Sequence, residues 1–327
     1  MSRQAIFNFH FPSGYFPQKF RINVDQAFLD LTQRKVADYR PTLSLHDEWD
    51  YESPATSAIT DVSHYWNKSY NWRAVEEKLN SEFDHYAITI PGSGTYEADI
   101  PLYFIHQRSS DPNAIPLLVL HGWPSTNLEW RKAMKPLAEH SELSFHVVAP
   151  DLPGYSFSPA PTQFGLGPRE MGRTFNSLMQ TLGYPRYGIV STDLGWFVGM
   201  RMTADVRESI LGHFSDFYLY QPTAIDAITG SGNLTAEGKA YIDSIGAWFE
   251  KHWTYALAHS RKPKQLALSL GDSPVGFLGW LWDVNHSTSD GYAYDFEELI
   301  TDTMVLWIPG PYANIRFYSE CFKVCSL

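Results

Sequence analysis

Residues 187–206 read YGIVSTDLGWFVGMRMTADV, and the turn at their centre decides how the chain folds. A short apolar strand, YGIV, runs into Ser191-Thr192-Asp193-Leu194-Gly195, and a helix-forming segment follows at once. Small residues at both flanks, Ser191 and Gly195, let a strand turn sharply into a helix. The pattern is G-x-S-x-G with Asp at the nucleophile position. An aspartate there sits at a helix N-terminus, where the dipole and free N–H groups favour its ionised form. Taken alone, Asp193 also reads as an ordinary helix N-cap, a position that Asp favours.

A second motif separates those readings. His121-Gly122-Trp123-Pro124 directly follows the apolar strand LLVL. Behind a nucleophile turn, such a segment supplies one backbone N–H to an oxyanion hole, here from Trp123, and the residue after the nucleophile, Leu194, supplies the other. His121 itself reads as a structural hydrogen-bonder rather than a base. From Pro101 onward, LYFIH, IPLLVLHGW, FHVVAPDLPGY and YGIVSTDLGW each place a short apolar run before a turn containing Gly or Pro. A helical segment, Arg169–Leu182, lies between the last two, with Met171, Phe175, Leu178, Met179 and Leu182 on one face. Gly183 and Pro185 stop it. Helices are also predicted near Asp25–Tyr39 and Trp72–Glu82, and SILGHFSDFY (209–218) reads as a further strand. Strands alternating with helices imply a mainly parallel sheet covered on both faces. The fold class is therefore α/β, of the α/β-hydrolase type, with about 90 helical, Trp-rich residues after the last strand read as a lid.

The bulk composition sets limits. At 327 residues the chain can bury a large core, and its 11 Trp, 19 Tyr and 20 Phe suit an apolar pocket as well as that core. A net charge of −11 argues against nucleic acid and anionic membranes as partners. Two cysteines, Cys321 and Cys325, do not make a disulfide framework and fit a reducing compartment. No basic start followed by an apolar stretch marks a signal peptide, and the most apolar run, Pro274 to Trp282, is too short for a bilayer. The expectation is a cytoplasmic protein without metal or organic cofactor, with homodimerisation left open.

Several segments together resemble the microsomal-type epoxide hydrolase family. They are HGWP, DLPGYSFS (151–158), STDLG, KPKQLALSLGDSPVGFLGW (262–280) and IRFYSE (315–320), joined by Trp49-Asp50-Tyr51, Tyr65-Trp66, Asn71-Trp72-Arg73, Leu79-Asn80 and FIHQRSS (104–110). HGWP alone indicates only an α/β-hydrolase, whereas DSPVG and RFY(x)E behind an N-terminal extension are specific to this family. The likeness runs from about residue 18 to residue 320. The apolar anchor of vertebrate members is absent, so the chain resembles the soluble fungal type. The division implied is an N-terminal extension (1–98), an α/β-hydrolase core (99–220), a helical lid (221–312) and the start of a C-terminal core segment (313–327).

The resemblance implies a two-step hydrolysis of an epoxide to a vicinal diol. Asp193 attacks an epoxide carbon and forms an ester. Two lid tyrosines protonate the leaving alkoxide, and by motif position these are Tyr255, eight residues before Pro263, and Tyr318 within RFYSE. A phenol with a pKa of about 10 stays protonated at neutral pH yet can share its proton with an alkoxide. Both also fit as pocket-lining aromatics, as do Tyr218 and Tyr220. The second step needs a His and a relay acid, which the family carries after RFY(x)E. Here no His follows His286. His213 matches a position that looks structural in the family, and the lid residues His252, His259 and His286 have no acid partner suggested by spacing, so turnover is in question and the last core strands are expected to be missing. CFKVCSL reads either as a read-through ending of a working gene or as the end of a pseudoenzyme that binds an epoxide or another metabolite. Haloalkane dehalogenation, which uses the same Asp turn, is the other enzymatic alternative. Paired tyrosines disfavour it, because halide needs only N–H donors.

Overall fold

The apolar runs are short and bounded by Gly and Pro, so they form strands too brief to stand alone and pair into one sheet. A computed structural model of the chain describes residues 10–49, 54–219 and 235–323. Among them the sheet contains β1 (Gln18–Lys19), β2 (His85–Ile90), β3 (Ile100–Gln107), β4 (Ile115–Leu120), β5 (Phe145–Pro150), β6 (Tyr187–Ser191) and β7 (Ile210–Ser215), in the order β1-β2-β3-β5-β4-β6-β7. β4 runs parallel to both β5 and β6, and β6 parallel to β7. β1, β2, β3 and β5 pair antiparallel. The sheet is thus mixed, and its parallel half carries the site. Its antiparallel half is reached through a hairpin, β2–β3, that a short turn can close. The expected boundary at residue 98 falls inside that hairpin, and the expected boundary at 221 falls outside the described residues, as do Asp50, Tyr51, Tyr220 and Cys325.

The register explains why two distant motifs meet. Leu120 pairs with Ser191, so HGWP and STDLG leave adjacent parallel strands at the same edge. In open α/β sheets that edge, beyond the strand C-termini, is where ligands bind. Behind it the strands are buried on both sides: Leu118, Val148 and Ala149 are fully buried. The amphipathic α5 (Pro168–Thr181) packs its Met171–Phe175–Leu178–Met179 face against the core and against α6 (Asp193–Asp205). At the far edge, β7 presents exposed Leu211 and Phe214.

Three helices precede the hairpin: α1 (Gln26–Ala37), α2 (Thr56–Lys68) and α3 (Trp72–Glu82). The two sequence-predicted ones start where Asp25 and Asn71 cap them with side-chain oxygens. α2 was not expected; its apolar positions, Ile59, Val62 and Trp66, recur at helical spacing between polar residues. The short α4 (Arg131–Ala138) follows β4.

The segment expected as a lid is a run of helices, α7 (Ala236–His252), α8 (Thr254–Arg261), α9 (Pro263–Leu270), α10 (Pro274–Thr288) and α11 (Phe296–Trp307), and the expected boundary at 312 falls inside the next helix, α12 (Pro311–Lys323). The GDSPVG segment is a helix stop and restart. Gly271 ends α9, the Ser273 side chain accepts from the Gly276 N–H at 2.9 Å, and Pro274 takes the first position of α10, where no amide hydrogen is needed. The extension braces this lid from behind. Lys35 pairs with Asp272 at 2.5 Å, the Trp307 indole donates to Thr32 at 3.0 Å, and the Tyr70 hydroxyl meets Thr301 at 3.2 Å.

Candidate active site

Asp193 opens α6, and Thr192 rather than Asp193 holds the N-cap position. Its backbone has φ +42°, a left-handed conformation uncommon outside glycine. That strain turns the carboxylate out of the helix and towards the HGWP turn, where the Trp123 N–H donates to Oδ1 at 2.8 Å. Two close approaches make the arrangement possible. A Cβ on Gly195 would stand 2.6 Å from the Leu120 carbonyl oxygen, and one on Gly122 would stand 2.3 Å from Asp193 Oδ1. Gly195→Ala is therefore expected to cost about 2–4 kcal/mol, because backbone rather than a movable side chain blocks the methyl. Chemical denaturation would read this loss, and an unchanged midpoint would show that the turn relaxes freely.

Burial pushes the Asp193 carboxyl up to about 6, with the charge of Asp216 adding to the rise. The N–H groups of Trp123 and Leu194 oppose it. The sequence names those same two amides as candidate oxyanion-hole donors. The dipole alone suggested a carboxylate held low; burial outweighs it here, although Asp193 is still ionised at neutral pH.

His121 is a hydrogen-bonding strut. Its Nδ1–H donates to the Gly122 carbonyl at 2.9 Å, and its Nε2 accepts from the Leu152 N–H at 3.0 Å. Burial pushes its pKa down to about 4, so it is neutral and both nitrogens are occupied. Asp151, fully buried nearby, accepts from the Asn127 N–H at 2.7 Å and is pushed up to about 8 by burial. Together they hold the loops after β4 and β5 in register.

Across from Asp193 stand Tyr255 on α8 and Tyr318 on α12. The Ser319 hydroxyl donates to the Ser260 carbonyl at 2.7 Å and joins these helices. The tyrosine rings lie 5.9 Å apart, and the Trp123 ring stacks on Tyr255 at 5.4 Å. Both side chains line a cavity of about 750 Å³ that also contains Asp193. Burial raises both phenol pKa values, with the Asp193 charge adding to each, so both hydroxyls stay protonated. The two phenols act on each other electrostatically. Among the described residues the buried Tyr318 hydroxyl has no hydrogen-bond partner. An unpaired buried donor of this kind costs stability unless a ligand oxygen meets it.

Of the histidines weighed as replacement bases, His259 packs against the site aromatics, its ring 4.4 Å from Trp123 and 4.8 Å from Tyr318, without lining the cavity, and the others stand elsewhere. His213 Nε2 is bonded to the Ser191 hydroxyl at 2.7 Å, His286 stacks on Trp49 at 4.4 Å, and His252 lies 6.1 Å from the Trp248 ring. His259 accepts from the Trp280 indole at 3.0 Å, and burial pushes its pKa down to about 3. Among the described residues, no histidine lines the cavity. Tyr218 does line it.

Two contributors escape a reading of the sequence. Asn314 accepts the Trp123 indole N–H at 3.1 Å, and Glu129 lines the cavity beside Asp193. Asn314 stands four residues before Tyr318, the spacing of one helix face, which is the signal that could have found it. Glu129 carries no such signal, since a Glu on a short turn usually faces solvent. The cavity is apolar where Phe197, Phe217, Trp248, Trp253 and Phe322 line it and polar where Arg131, Lys132, Glu298 and Asp302 do. Arg131 is paired with Glu298 and Asp302 at 2.5 and 2.8 Å.

Comparison with known proteins agrees with this geometry. The family described as "Epoxide hydrolase N terminus" matches residues 17–130, and "alpha/beta hydrolase fold" matches residues 115–233. The chain carries an epoxide hydrolase N-terminal region followed by an α/β-hydrolase fold. Juvenile hormone epoxide hydrolase 1 of Ctenocephalides felis is 26% identical over 94% of this chain and 70% of its own length. Epoxide hydrolase 1 of Sus scrofa is 26% identical over 90% of this chain and 70% of its own. Among solved structures, juvenile hormone epoxide hydrolase of the silkworm Bombyx mori superposes with a TM-score of 0.81. It is 23% identical and covers 94% of this chain and 77% of its own. Aspergillus niger epoxide hydrolase gives 0.78 at 23% identity over 95% and 80%. These likenesses show the α/β-hydrolase fold. No helix among its described residues is long and apolar enough to cross a membrane.

Proposed function

We propose that this chain opens an apolar epoxide by attack of Asp193, with Tyr255 and Tyr318 protonating the oxygen that leaves. The observation that carries the reading is the facing arrangement of Asp193 and the two buried, protonated tyrosines across one cavity. Epoxide opening needs a nucleophile on carbon and an acid on oxygen at the same moment, on opposite sides of the ring. Trp123 and Leu194 present their N–H groups to the carboxylate, and the same donors suit the oxyanion formed when water opens the resulting ester. The unpartnered Tyr318 hydroxyl favours an oxygen leaving group over halide. Trp248, Trp253 and the phenylalanines suit an aryl or lipid-like body on the epoxide.

Mixing the protein with an aryl epoxide and recording intact mass is expected to show an adduct of one substrate mass. Its rate of formation should rise with pH through about 6, the value to which burial pushes Asp193. Below that pH the carboxyl is protonated and cannot attack; above it the rate should level off, since the phenols stay protonated. An adduct whose rate is indifferent to pH between about 4 and 8 would assign attack to another group. No adduct and no diol at any pH would remove the proposed reaction.

A further inference from the structure

Trp123 takes part in the site twice. Its backbone N–H donates to Asp193 Oδ1 at 2.8 Å, while its side chain packs against both tyrosines. The indole stacks on the Tyr255 ring, 5.4 Å away with 17° between the planes, and meets the Tyr318 ring edge-on at 6.0 Å. One residue thus touches the nucleophile through its main chain and the two acids through its ring. Stacking alone leaves a ring free to slide in its plane, because aromatic contacts are broad in direction. The indole N–H supplies the directional bond, donating to Asn314 Oδ1 at 3.1 Å. Trp123 is 3% exposed and Asn314 0%, so the bond is shielded from solvent.

Asn314 is itself held in place. Its Nδ2 donates to the Gly310 carbonyl at 3.4 Å, and its own backbone carbonyl accepts from the Tyr155 hydroxyl at 3.2 Å. With Nδ2 committed to a carbonyl, Oδ1 must face the indole. A flipped amide would set donor against donor and acceptor against acceptor. The Tyr155 bond brings in the loop after β5. That loop presses on α12 at the neighbouring residue, where a Cβ on Gly154 would stand 2.6 Å from the Ala313 Cβ. The same loop reaches the HGWP turn, with the Leu152 N–H on His121 at 3.0 Å and the Tyr155 ring edge-on to His121 at 5.1 Å. Asn314 is therefore where α12, the loop after β5 and the turn after β4 meet. Tyr318 stands four residues further along the same helix, about 6 Å up its axis and on the same face.

We infer that Asn314 is a positioning residue of epoxide opening, using the Trp123 indole to hold the oxyanion-hole amide and both tyrosines in one register. The inference rests on the reading of Asp193 and the tyrosines given above. Opening needs attack on carbon and proton delivery to oxygen together, so the separation of carboxylate and phenols must stay constant. Yet the carboxylate stands on the turn after β6 and the phenols on α8 and α12. The ties of Lys35 to Asp272, Trp307 to Thr32 and Tyr70 to Thr301 fasten helices to the extension, not to the sheet. Arg131 ties α11 to the core at the polar end of the cavity. The bond from Trp123 to Asn314 joins α12 to the turn that carries the amide itself. Without it the indole can turn about its side-chain bonds, and Tyr318 loses an anchor one turn away. Asn314 does not line the cavity, so its effect passes through Trp123 and α12.

The experiment is single-turnover intact-mass analysis of the full 327-residue chain with an aryl epoxide, alongside variants at both ends of the bond. Asn314→Ala should slow ester formation about 10- to 100-fold at saturating epoxide, the cost of a misplacement near 1 Å. The epoxide concentration giving half the maximal rate should change by less than about threefold, because the cavity wall is untouched. Asn314→Asp should return the rate to within about fivefold of the parent, because a buried, protonated carboxyl keeps an oxygen that accepts from the indole. Trp123→Phe should lower the rate as well. Adding Asn314→Ala to it should lower the rate by no more than about twofold further, since the bond is already gone. Should Asn314→Ala fail to fold, Asn314→Leu, close to Asn in size, replaces it with the same expectation. Ester formation within about threefold of the parent in Asn314→Ala overturns the inference. So do equal losses in the Ala and Asp variants, or losses that multiply in the double variant. Each of those outcomes leaves Asp193 and the tyrosines in place. No ester in the parent overturns the reading on which the inference rests.

Discussion

Asp193→Asn is expected to abolish adduct formation with an epoxide, a loss of at least about 10⁴-fold, and at the same time to stabilise the protein. The loss follows from chemistry: an amide is not a nucleophile towards carbon at neutral pH, and no other carboxylate is held by the Trp123 and Leu194 amides. The gain follows from proton linkage. The folded-state value of about 6 lies above the ordinary aspartate value near 3.9, so the folded protein holds more protons than the unfolded chain between those pH values. The contribution of this carboxyl to stability therefore falls as pH rises through that window, and at neutral pH its charge is a net cost. A shift of about two pH units corresponds to nearly 3 kcal/mol at most, and contact with cavity water reduces this to about 1–2 kcal/mol. Asn also tolerates the left-handed backbone at φ +42°. A higher melting temperature, with the difference from the parent disappearing below about pH 4, is the expected pattern. Equal or lower stability of the variant at pH 7 would mean that the ionised carboxylate is well solvated in place.

The second large effect concerns the acids. Tyr255→Phe and Tyr318→Phe should each slow epoxide opening by about 10- to 100-fold, because the remaining hydroxyl still reaches the departing oxygen. The double variant should lose about 10³- to 10⁴-fold, the range for removing general-acid assistance. A strongly basic alkoxide then leaves without a proton. Folding should be little disturbed, since the Tyr318 hydroxyl has no hydrogen-bond partner among the described residues to lose. Adduct formation within tenfold of the parent in the double variant would take the tyrosines out of the chemistry and leave them as cavity walls.

The sequence was most legible where chemistry and backbone geometry coincide in a few consecutive residues. STDLG and HGWP each encode a turn whose tightness excludes side chains, and the register of β4 against β6 brings them together. Tyr255 and Tyr318 are named by motif resemblance alone, because nothing local distinguishes them from other tyrosines. Glu129 and Asn314 were not found: Glu129 stands out only through the cavity it lines, and Asn314 only through its bond to the Trp123 indole, a tertiary pairing at which its one-turn spacing from Tyr318 merely hints. The β2–β3 hairpin was likewise missed, since its strands lie on both sides of a change in composition that reads as a boundary. The raised carboxyl of Asp193 also escaped, because a helix N-terminus is visible in sequence whereas the depth of its burial is not.

The ties from Thr32, Lys35 and Tyr70 to Trp307, Asp272 and Thr301 determine what can be exchanged when such enzymes are recombined. A chimera that transplants the lid alone would place foreign helices against a brace shaped for others. The unit to transplant is therefore discontinuous in the chain, with residues 26–82 and the helices braced by them travelling as one cassette.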